Sequence, residues 1–145
     1  FFQRGRAVAH ALDGFGYLVA SKERLHHLGT LFSSRIDPEC CRDGHVLLRV
    51  MLGGARHPEV VDWSDAQLLE CVAREVGPLL GLRAAPVWSS IHRWRATLPR
   101  FDLQHPERLA AIQSSLPPGL TLLGNYLAGI GVNHLVAAAR GQAAK

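Results

Sequence analysis

Residues 120–139 read LTLLGNYLAGIGVNHLVAAA, and this stretch decides how the end of the chain can fold. Leu120 to Leu123 is a short apolar run typical of a strand, and Asn125 to Gly131 is a glycine-containing turn. Val132 to Ala144 has the alanine-rich composition of a helix. The stretch is about long enough to cross a bilayer, but its interior glycines, asparagines and histidine suit a strand, a turn and a helix better. The sequence therefore predicts no membrane span.

A strand that delivers a glycine loop to the start of a helix can bind an anionic or electron-rich group. Free backbone N–H groups and the positive end of the helix dipole meet there, and glycines leave the approach open. The order Gly129-Ile130-Gly131-Val132-Asn133 lacks the third glycine of the dinucleotide motif G-x-G-x-x-G. On the pattern alone, a plain strand-to-helix connection without a ligand remains the alternative.

The rest of the chain predicts strands and two further helices. The pattern Ser64-Asp65-Ala66-Gln67 is a capping box that starts a helix running to Gly81, although Pro78 should disturb its last turn. A second helix begins near Pro106, with Leu109, Ile112 and Leu116 as its buried stripe. Aromatic and branched residues predict strands over residues 14–19, 28–33, 45–52 and 87–95.

Composition indicates a folded globular chain and excludes several functions. The 145 residues are 48% hydrophobic and 19% charged, and the net charge of +4 comes from scattered single residues rather than a basic arm, which argues against nucleic-acid binding. Cys40, Cys41 and Cys71 form no C-x-x-C pair, so we expect reduced thiols and no metal site. His26 and His27 should point to opposite faces of a strand and lie at the surface. The start of the chain does not have the pattern of a signal peptide.

Four sequence blocks together resemble the protoporphyrinogen oxidase family of amine-oxidase-like flavoproteins. They follow the family's order and spacing over nearly the whole chain, and they are similar to its carboxy-terminal portion. The family's amino-terminal Rossmann fingerprint is absent from these residues. The blocks are Leu12-Asp13-Gly14-Phe15-Gly16-Tyr17-Leu18-Val19, Leu47-Leu48-Arg49-Val50-Met51-Leu52-Gly53-Gly54-Ala55-Arg56, Arg93-Trp94-Arg95-Ala96-Thr97-Leu98-Pro99-Arg100-Phe101 and Gly124-Asn125-Tyr126-Leu127-Ala128-Gly129-Ile130-Gly131-Val132.

The resemblance implies a mixed fold, α+β and α/β, that forms part of a two-domain flavoprotein. Residues 1–101 would supply antiparallel strands and a helix of the substrate-binding domain. Residues 102–145 would return to the Rossmann-like FAD-binding domain as a helix, a strand and a final helix. The amino-terminal remainder of the same protein would be the partner that completes the active site.

The resemblance also implies an activity: FAD-dependent oxidation of protoporphyrinogen IX to protoporphyrin IX by oxygen in heme biosynthesis, with peroxide as by-product. It assigns no catalytic residue to this chain. The expected location is the cytoplasm, with peripheral attachment to the membrane left open. By the resemblance, the flavin-contacting residues are Trp94, Gly124, Gly129, Ile130, Gly131 and Val132.

The chain departs from the family pattern at two places, and alternatives remain. Family members often have Pro-Gln-Tyr where this chain has Pro99-Arg100-Phe101, and an acidic residue where it has His134. Arginines such as Arg49, Arg56 and Arg93 could meet the propionates of a tetrapyrrole, but solvent exposure is the favoured interpretation. The alternatives are a coproporphyrinogen III oxidase, another amine-oxidase-like flavoenzyme such as a carotenoid desaturase, or a non-catalytic interaction domain.

Overall fold

The computed structural model describes residues 2–3, 7–95 and 98–143, and the chain divides into two compact units, Phe1–Arg93 and Trp94–Lys145. The fold is a small α+β arrangement, as expected. The strands are β1 Phe2–Gln3, β2 Gly16–Leu18, β3 His27–Phe32, β4 His45–Val46 and β5 Leu48–Leu52. The helices are α1 Ser33–Ile36, α2 Asp65–Glu75, α3 Gly77–Leu80, α4 His105–Ser114, α5 Asn125–Ala128 and α6 Val132–Ala143. Short 3₁₀ turns occupy Ser21–Glu23, Pro38–Cys40, Gly54–Arg56 and Pro58–Asp62.

The first unit is built on a three-stranded antiparallel sheet in the order β2-β3-β5. Gly29 on β3 lies opposite Leu18 on β2, and a Cβ at Gly29 would sit 2.5 Å from the Tyr17 carbonyl oxygen. The close approach of the two backbones therefore requires glycine at this position. The β3–β5 register shifts between His27 and Gly29, so one residue of β3 is extra to the ladder there.

The sheet and the α2–α3 pair enclose the apolar core of the first unit. Val76 is fully buried and Leu80 nearly so, and Tyr17, Leu48 and Val50 of the sheet pack against this cluster. Burial of these apolar side chains stabilises the fold because it removes apolar surface from water. The buried members of the cluster are Phe2, Ala7, Val8, Leu12, Phe32, Val46, Val76 and Leu80.

The structure confirms the predicted capping box and explains how Pro78 is accommodated near the end of the predicted helix. The Ser64 hydroxyl accepts from the Gln67 N–H at 3.3 Å, and the Gln67 side chain accepts from the Ser64 N–H at 2.8 Å. Helix α2 ends at Glu75, and α3 then begins at Gly77 with Pro78 in its first turn. A proline there removes no intrahelical hydrogen bond. Gly81 ends α3 with φ of 59°, the left-handed stop that the sequence predicts.

Several predicted strands take another form. The run His45–Leu52 is divided at Leu47 into β4, which pairs with β1, and β5, which pairs with β3. Residues 87–95 and residues 120–123 are described throughout and contain no strand. An extended segment becomes a strand only when a neighbour accepts its ladder of hydrogen bonds, and among the described residues neither segment has such a neighbour.

The second unit consists of α4, α5 and α6 with their connections. Helix α4 forms where it is predicted, but its expected stripe is not buried, since Leu109 and Leu116 are half-buried and Ile112 is exposed. The His105 Nε2 lies 2.7 Å from the Tyr126 carbonyl oxygen, which ties the start of α4 to α5. The predicted turn 125–131 contains α5, and the predicted last helix is α6, with Ala144 outside the described residues.

In the described part of the chain, no helix combines the length and the apolar character that crossing a bilayer requires.

Candidate functional site

The loop Gly129-Ile130-Gly131 leads directly into α6, as the sequence predicts. The Gly131 carbonyl oxygen accepts from the N–H groups of His134 at 3.0 Å and Leu135 at 3.2 Å, so Gly131 stands at the cap position of the helix. The N–H groups of the first turn therefore face the loop. Ile130 and Val132 are exposed, which leaves this end of α6 accessible from the loop side within the second unit.

The two loop glycines differ in backbone conformation. Gly129 has φ of 142°, which L side chains rarely adopt, and a Cβ there would lie 2.9 Å from the His134 Nδ1. Gly131 does not have a positive φ, and its Cβ would lie 3.3 Å from the same nitrogen. Strain therefore explains glycine at Gly129, whereas at Gly131 the His134 ring limits the space for a side chain.

Two further predicted contact residues, Gly124 and Trp94, precede the glycine loop in the sequence. Gly124 precedes α5 with φ of 171°, an extended conformation open to any residue. Trp94 begins the second unit with 73% of its surface exposed, in a segment without strand or helix. The flavin contact of both residues, and the proximity of Trp94 to the glycine loop, remain predictions.

The second unit also contains a shallow recess of about 200 Å³ between residues of α4, α6 and the 116–127 segment. Pockets for small molecules and cofactors usually measure about 300–1,000 Å³. The recess is too small to hold a flavin or a tetrapyrrole by itself, so we assign it no ligand.

A polar cluster lies inside the first unit, where Glu75 contacts both His26 and His27. Glu75 Oε2 accepts from the backbone N–H groups of His26 at 2.9 Å and His27 at 3.1 Å, and it lies 2.9 Å from the His27 Nδ1. Glu75 Oε1 lies 2.7 Å from the His26 Nδ1 and 3.4 Å from Arg74. One carboxylate therefore joins the end of α2 to the start of β3.

The hydrogen bonds extend from His27 to the opposite side of its ring. The His27 Nε2 lies 3.2 Å from the Tyr17 hydroxyl, which accepts from Thr30 Oγ1 at 3.1 Å. An ionised Glu75 only accepts, so His27 donates from Nδ1 and a neutral ring accepts at Nε2 from Tyr17. The cluster is thus a directed chain from Thr30 through Tyr17 and His27 to the carboxylate.

The environment of the cluster shifts three pKa values. Burial opposes ionisation of Glu75, but the hydrogen bonds from His27 and His26 outweigh it and lower the pKa of Glu75 to about 2. Burial, and then the Glu75 charge, raise the pKa of the Cys71 thiol to about 11. Burial also raises the pKa of Tyr17. The hydrogen bond from Thr30 opposes this increase, and the Glu75 charge adds to it.

The expectation that His26 and His27 lie at the surface on opposite faces is wrong. His27 is fully buried, His26 is half-buried, and their Nδ1 atoms both approach Glu75. Strand alternation does not apply, because the chain bends at His26 before β3 begins and the register shifts just after His27. The signal in the sequence was Glu75 itself, a charged residue on the buried face of α2 with Leu68 and Cys71.

The arginines considered for propionate binding have different surroundings. Arg49, Arg56 and Arg93 are all exposed, as expected. The Arg93 guanidinium donates to Asp65 at 2.6 Å and to the Trp63 carbonyl oxygen at 2.7 Å. Arg93 therefore holds the end of the first unit to the start of α2, a contact that the sequence did not indicate.

Comparison with known proteins gives one family. Residues 4–144 match the sequence profile described as flavin containing amine oxidoreductase. A chloroplastic protoporphyrinogen oxidase of Nicotiana tabacum is 31% identical over 137 residues, which cover 90% of this chain and 25% of that protein. A mitochondrial protoporphyrinogen oxidase of the same plant is 34% identical over 130 residues, which cover 86% of this chain and 26% of that protein. A coproporphyrinogen III oxidase of Mycobacterium bovis is 34% identical over 124 residues, which cover 86% of this chain and 27% of that protein. The chain spans about a quarter of the length of these relatives.

Proposed function

The chain belongs to the family of flavin containing amine oxidoreductases, and on this basis we propose that it is the carboxy-terminal portion of a protoporphyrinogen oxidase. In this proposal the complete protein oxidises protoporphyrinogen IX to protoporphyrin IX with FAD and oxygen in heme biosynthesis. The observation that carries it is the similarity to protoporphyrinogen oxidases over about nine-tenths of the chain.

The proposal assigns different tasks to the two ends of the chain. Residues 1–101 would belong to the substrate-binding domain and residues 102–145 to the Rossmann-like FAD-binding domain. The three-stranded sheet of the first unit and the helices of the second are compatible with that division. The amino-terminal remainder of the protein would supply the fingerprint that holds the FAD pyrophosphate.

The glycine loop and α6 suit a flavin chemically. Gly131, where a Cβ would lie 3.3 Å from the His134 Nδ1, would let the backbone come close to the cofactor, and the N–H groups of the first turn of α6 would donate to an electron-rich edge of the ring. FAD, when bound, accepts the electrons that leave the porphyrinogen. The residues proposed to contact it are Trp94, Gly124, Gly129, Ile130, Gly131 and Val132.

For this chain's residues, the proposed mechanism is one of binding and electrostatics. The positive end of the α6 dipole favours negative charge on a group held at the loop, and therefore favours a reduced cofactor over an oxidised one. Ile130 and Val132 would cover the contact with apolar surface and exclude water. No side chain of this chain is proposed to transfer a proton.

Coproporphyrinogen III oxidase is the second candidate, because a Mycobacterium bovis protein of that name is as similar to the chain as the plant proteins are. The two substrates differ in the number of carboxylates. Cytoplasmic location, with or without peripheral attachment to a membrane, is part of the proposal, and the plant relatives are named chloroplastic and mitochondrial.

The test is to express the complete reading frame and to assay the purified flavoprotein with both porphyrinogens. Porphyrin fluorescence and oxygen uptake should both rise with protoporphyrinogen IX, and preference for coproporphyrinogen III would favour the second candidate. Oxidation of neither substrate by a flavin-loaded protein would leave another amine-oxidase-like enzyme. A reading frame without a G-x-G-x-x-G strand-turn-helix upstream would favour a non-catalytic interaction domain.

A further inference from the structure

Three different ligand atoms of the first unit lie close together beside the buried Glu75 cluster. They are a ring nitrogen of His26, the Cys71 sulfur and a Glu75 carboxylate oxygen, all within 4.8 Å of one another. Cys71 and Glu75 are one helical turn apart on α2, so their side chains leave the same face, and His26 approaches from the chain before β3. The fold therefore fixes two of the three donors on one rigid element.

We propose that His26, Cys71 and Glu75 form a binding site for a borderline-soft divalent cation such as Zn²⁺. Nitrogen, sulfur and carboxylate oxygen are the protein ligands of zinc, at about 2.0–2.3 Å, which places neighbouring donors of a tetrahedral ion about 3.3–3.8 Å apart. The His26 Nδ1 and Glu75 Oε1 are now 2.7 Å apart with a proton between them. Binding of the ion therefore requires these two atoms to separate by about 0.6 Å or more.

The two oxygens of Glu75 have separate tasks in this site. Oε2 is held by the two backbone N–H groups and by the His27 ring, which orient the carboxylate. Oε1 faces His26 and lies 3.4 Å from the Arg74 guanidinium, and it is the oxygen that would bind an ion in place of these contacts. Hydrogen bonds that orient a ligand in this way are typical of metal sites in proteins. Because His27 holds Oε2, it is a positioning residue and not a ligand.

The proton balance and the access route are defined. Binding of the cation releases the proton of the Cys71 thiol to solvent, while the neutral His26 ring binds through Nδ1 and carries its own proton on Nε2. The His26 side chain is 29% exposed, which opens the site on one side while Cys71 and Glu75 stay buried. Water enters from that side as the fourth ligand.

A neighbouring set of donors, His26, His57 and Glu59, also lies within 4.8 Å, but it contains no sulfur and Glu59 is exposed. A cation held by that set would have no thiolate ligand. The two sets share His26, so variants that differ in the other members distinguish them. This difference defines the test.

The test uses the 145-residue chain, freed of metal with a chelator and titrated with Co²⁺ as a spectroscopic substitute for Zn²⁺. We expect an intense sulfur-to-cobalt absorption band, its displacement by Zn²⁺, and its loss in Cys71→Ser. The matched control Cys41→Ser should keep the band, because Cys41 lies outside the cluster. His26→Gln, at the half-exposed position, should weaken Co²⁺ binding about tenfold or more, since even the outer partners of metal ligands have effects of 10–100-fold.

Thermal unfolding with and without Zn²⁺ supplies a readout that does not depend on the sulfur-to-cobalt absorption. The wild-type chain should melt at a higher temperature with Zn²⁺, and His26→Gln should lose that increase while it melts as a folded protein without metal. No sulfur-to-cobalt band and no Zn²⁺-dependent rise in melting temperature would overturn the proposal and leave a hydrogen-bonded cluster only. Cobalt binding without the band, lost in His57→Gln, would overturn it in favour of the neighbouring set.

Discussion

Replacing Glu75 with glutamine tests whether the buried carboxylate holds α2 to β3. Glutamine has nearly the shape of a protonated glutamate, so the Glu75→Gln chain is the wild type with this one group held neutral. The charge that attracts four N–H groups of His26 and His27 is removed, and the backbone groups remain. We expect a folded but less stable protein.

The magnitude follows from the pKa of the carboxyl. Its value falls from 4.5 to about 2 in the folded chain. One unit corresponds to 1.36 kcal/mol, so the ionised form stabilises the fold by about 3 kcal/mol relative to the neutral form. Because the folded pKa is lowered, this contribution is complete above about pH 4.5 and is lost as the pH falls toward 2. For a chain of this size the change corresponds to a melting temperature roughly 10 °C lower.

Urea unfolding of both proteins at a series of pH values, with a chelator present, measures this contribution. Wild type should lose stability between about pH 4.5 and 2, and Glu75→Gln should start lower and change less over that range. Glu70→Gln, at an exposed position of the same helix, is the control and should follow wild type. Equal stability of Glu75→Gln and wild type at neutral pH, or parallel pH profiles, would refute the argument.

Three further predictions concern the cap of α2 and the flavin. Ser64→Ala should cost about 1 kcal/mol of unfolding free energy, measured in urea, because the Gln67 N–H loses its partner; no measurable cost would mean that the capping box is dispensable. In the complete protein, Gly131→Val should reduce flavin absorbance and turnover far more than melting temperature, whereas Gly141→Val, in open space within α6, should keep its flavin. The isolated chain should not retain FAD, and a stoichiometric flavin spectrum after purification would contradict this.

Features fixed by neighbouring residues could be predicted from the sequence. The capping box needs only Ser64 and Gln67, and the end of α3 needs only a glycine that can adopt a left-handed conformation. The strands β2 and β3 were found for the same reason, since their branched and aromatic residues favour extended backbone. The proposed cofactor loop was likewise visible as a glycine-rich approach to a helix.

Features that depend on a distant partner could not be predicted. Residues 87–95 alternate as a strand does, yet alternation describes only the chain's own side chains and not the neighbour that must pair with it. The run 45–52 is uniformly apolar, so nothing local marks Leu47 as the point where the chain leaves one sheet for the other. Tertiary pairing decided both cases.

The Glu75 cluster could be predicted in part from neighbouring residues, but it also depends on a distant partner. A charged residue on the buried stripe of an amphipathic helix is costly unless it is paired, so Glu75 in register with Leu68 and Cys71 requires a buried partner somewhere in the fold. The sequence supplies that requirement but not the identity of the partner. His26 and His27 meet it because the bend and the register shift turn both rings toward α2, and two backbone N–H groups come with them. The irregularity at the start of β3 therefore has a physical role, since a regular strand would direct one of the two histidines away from the carboxylate.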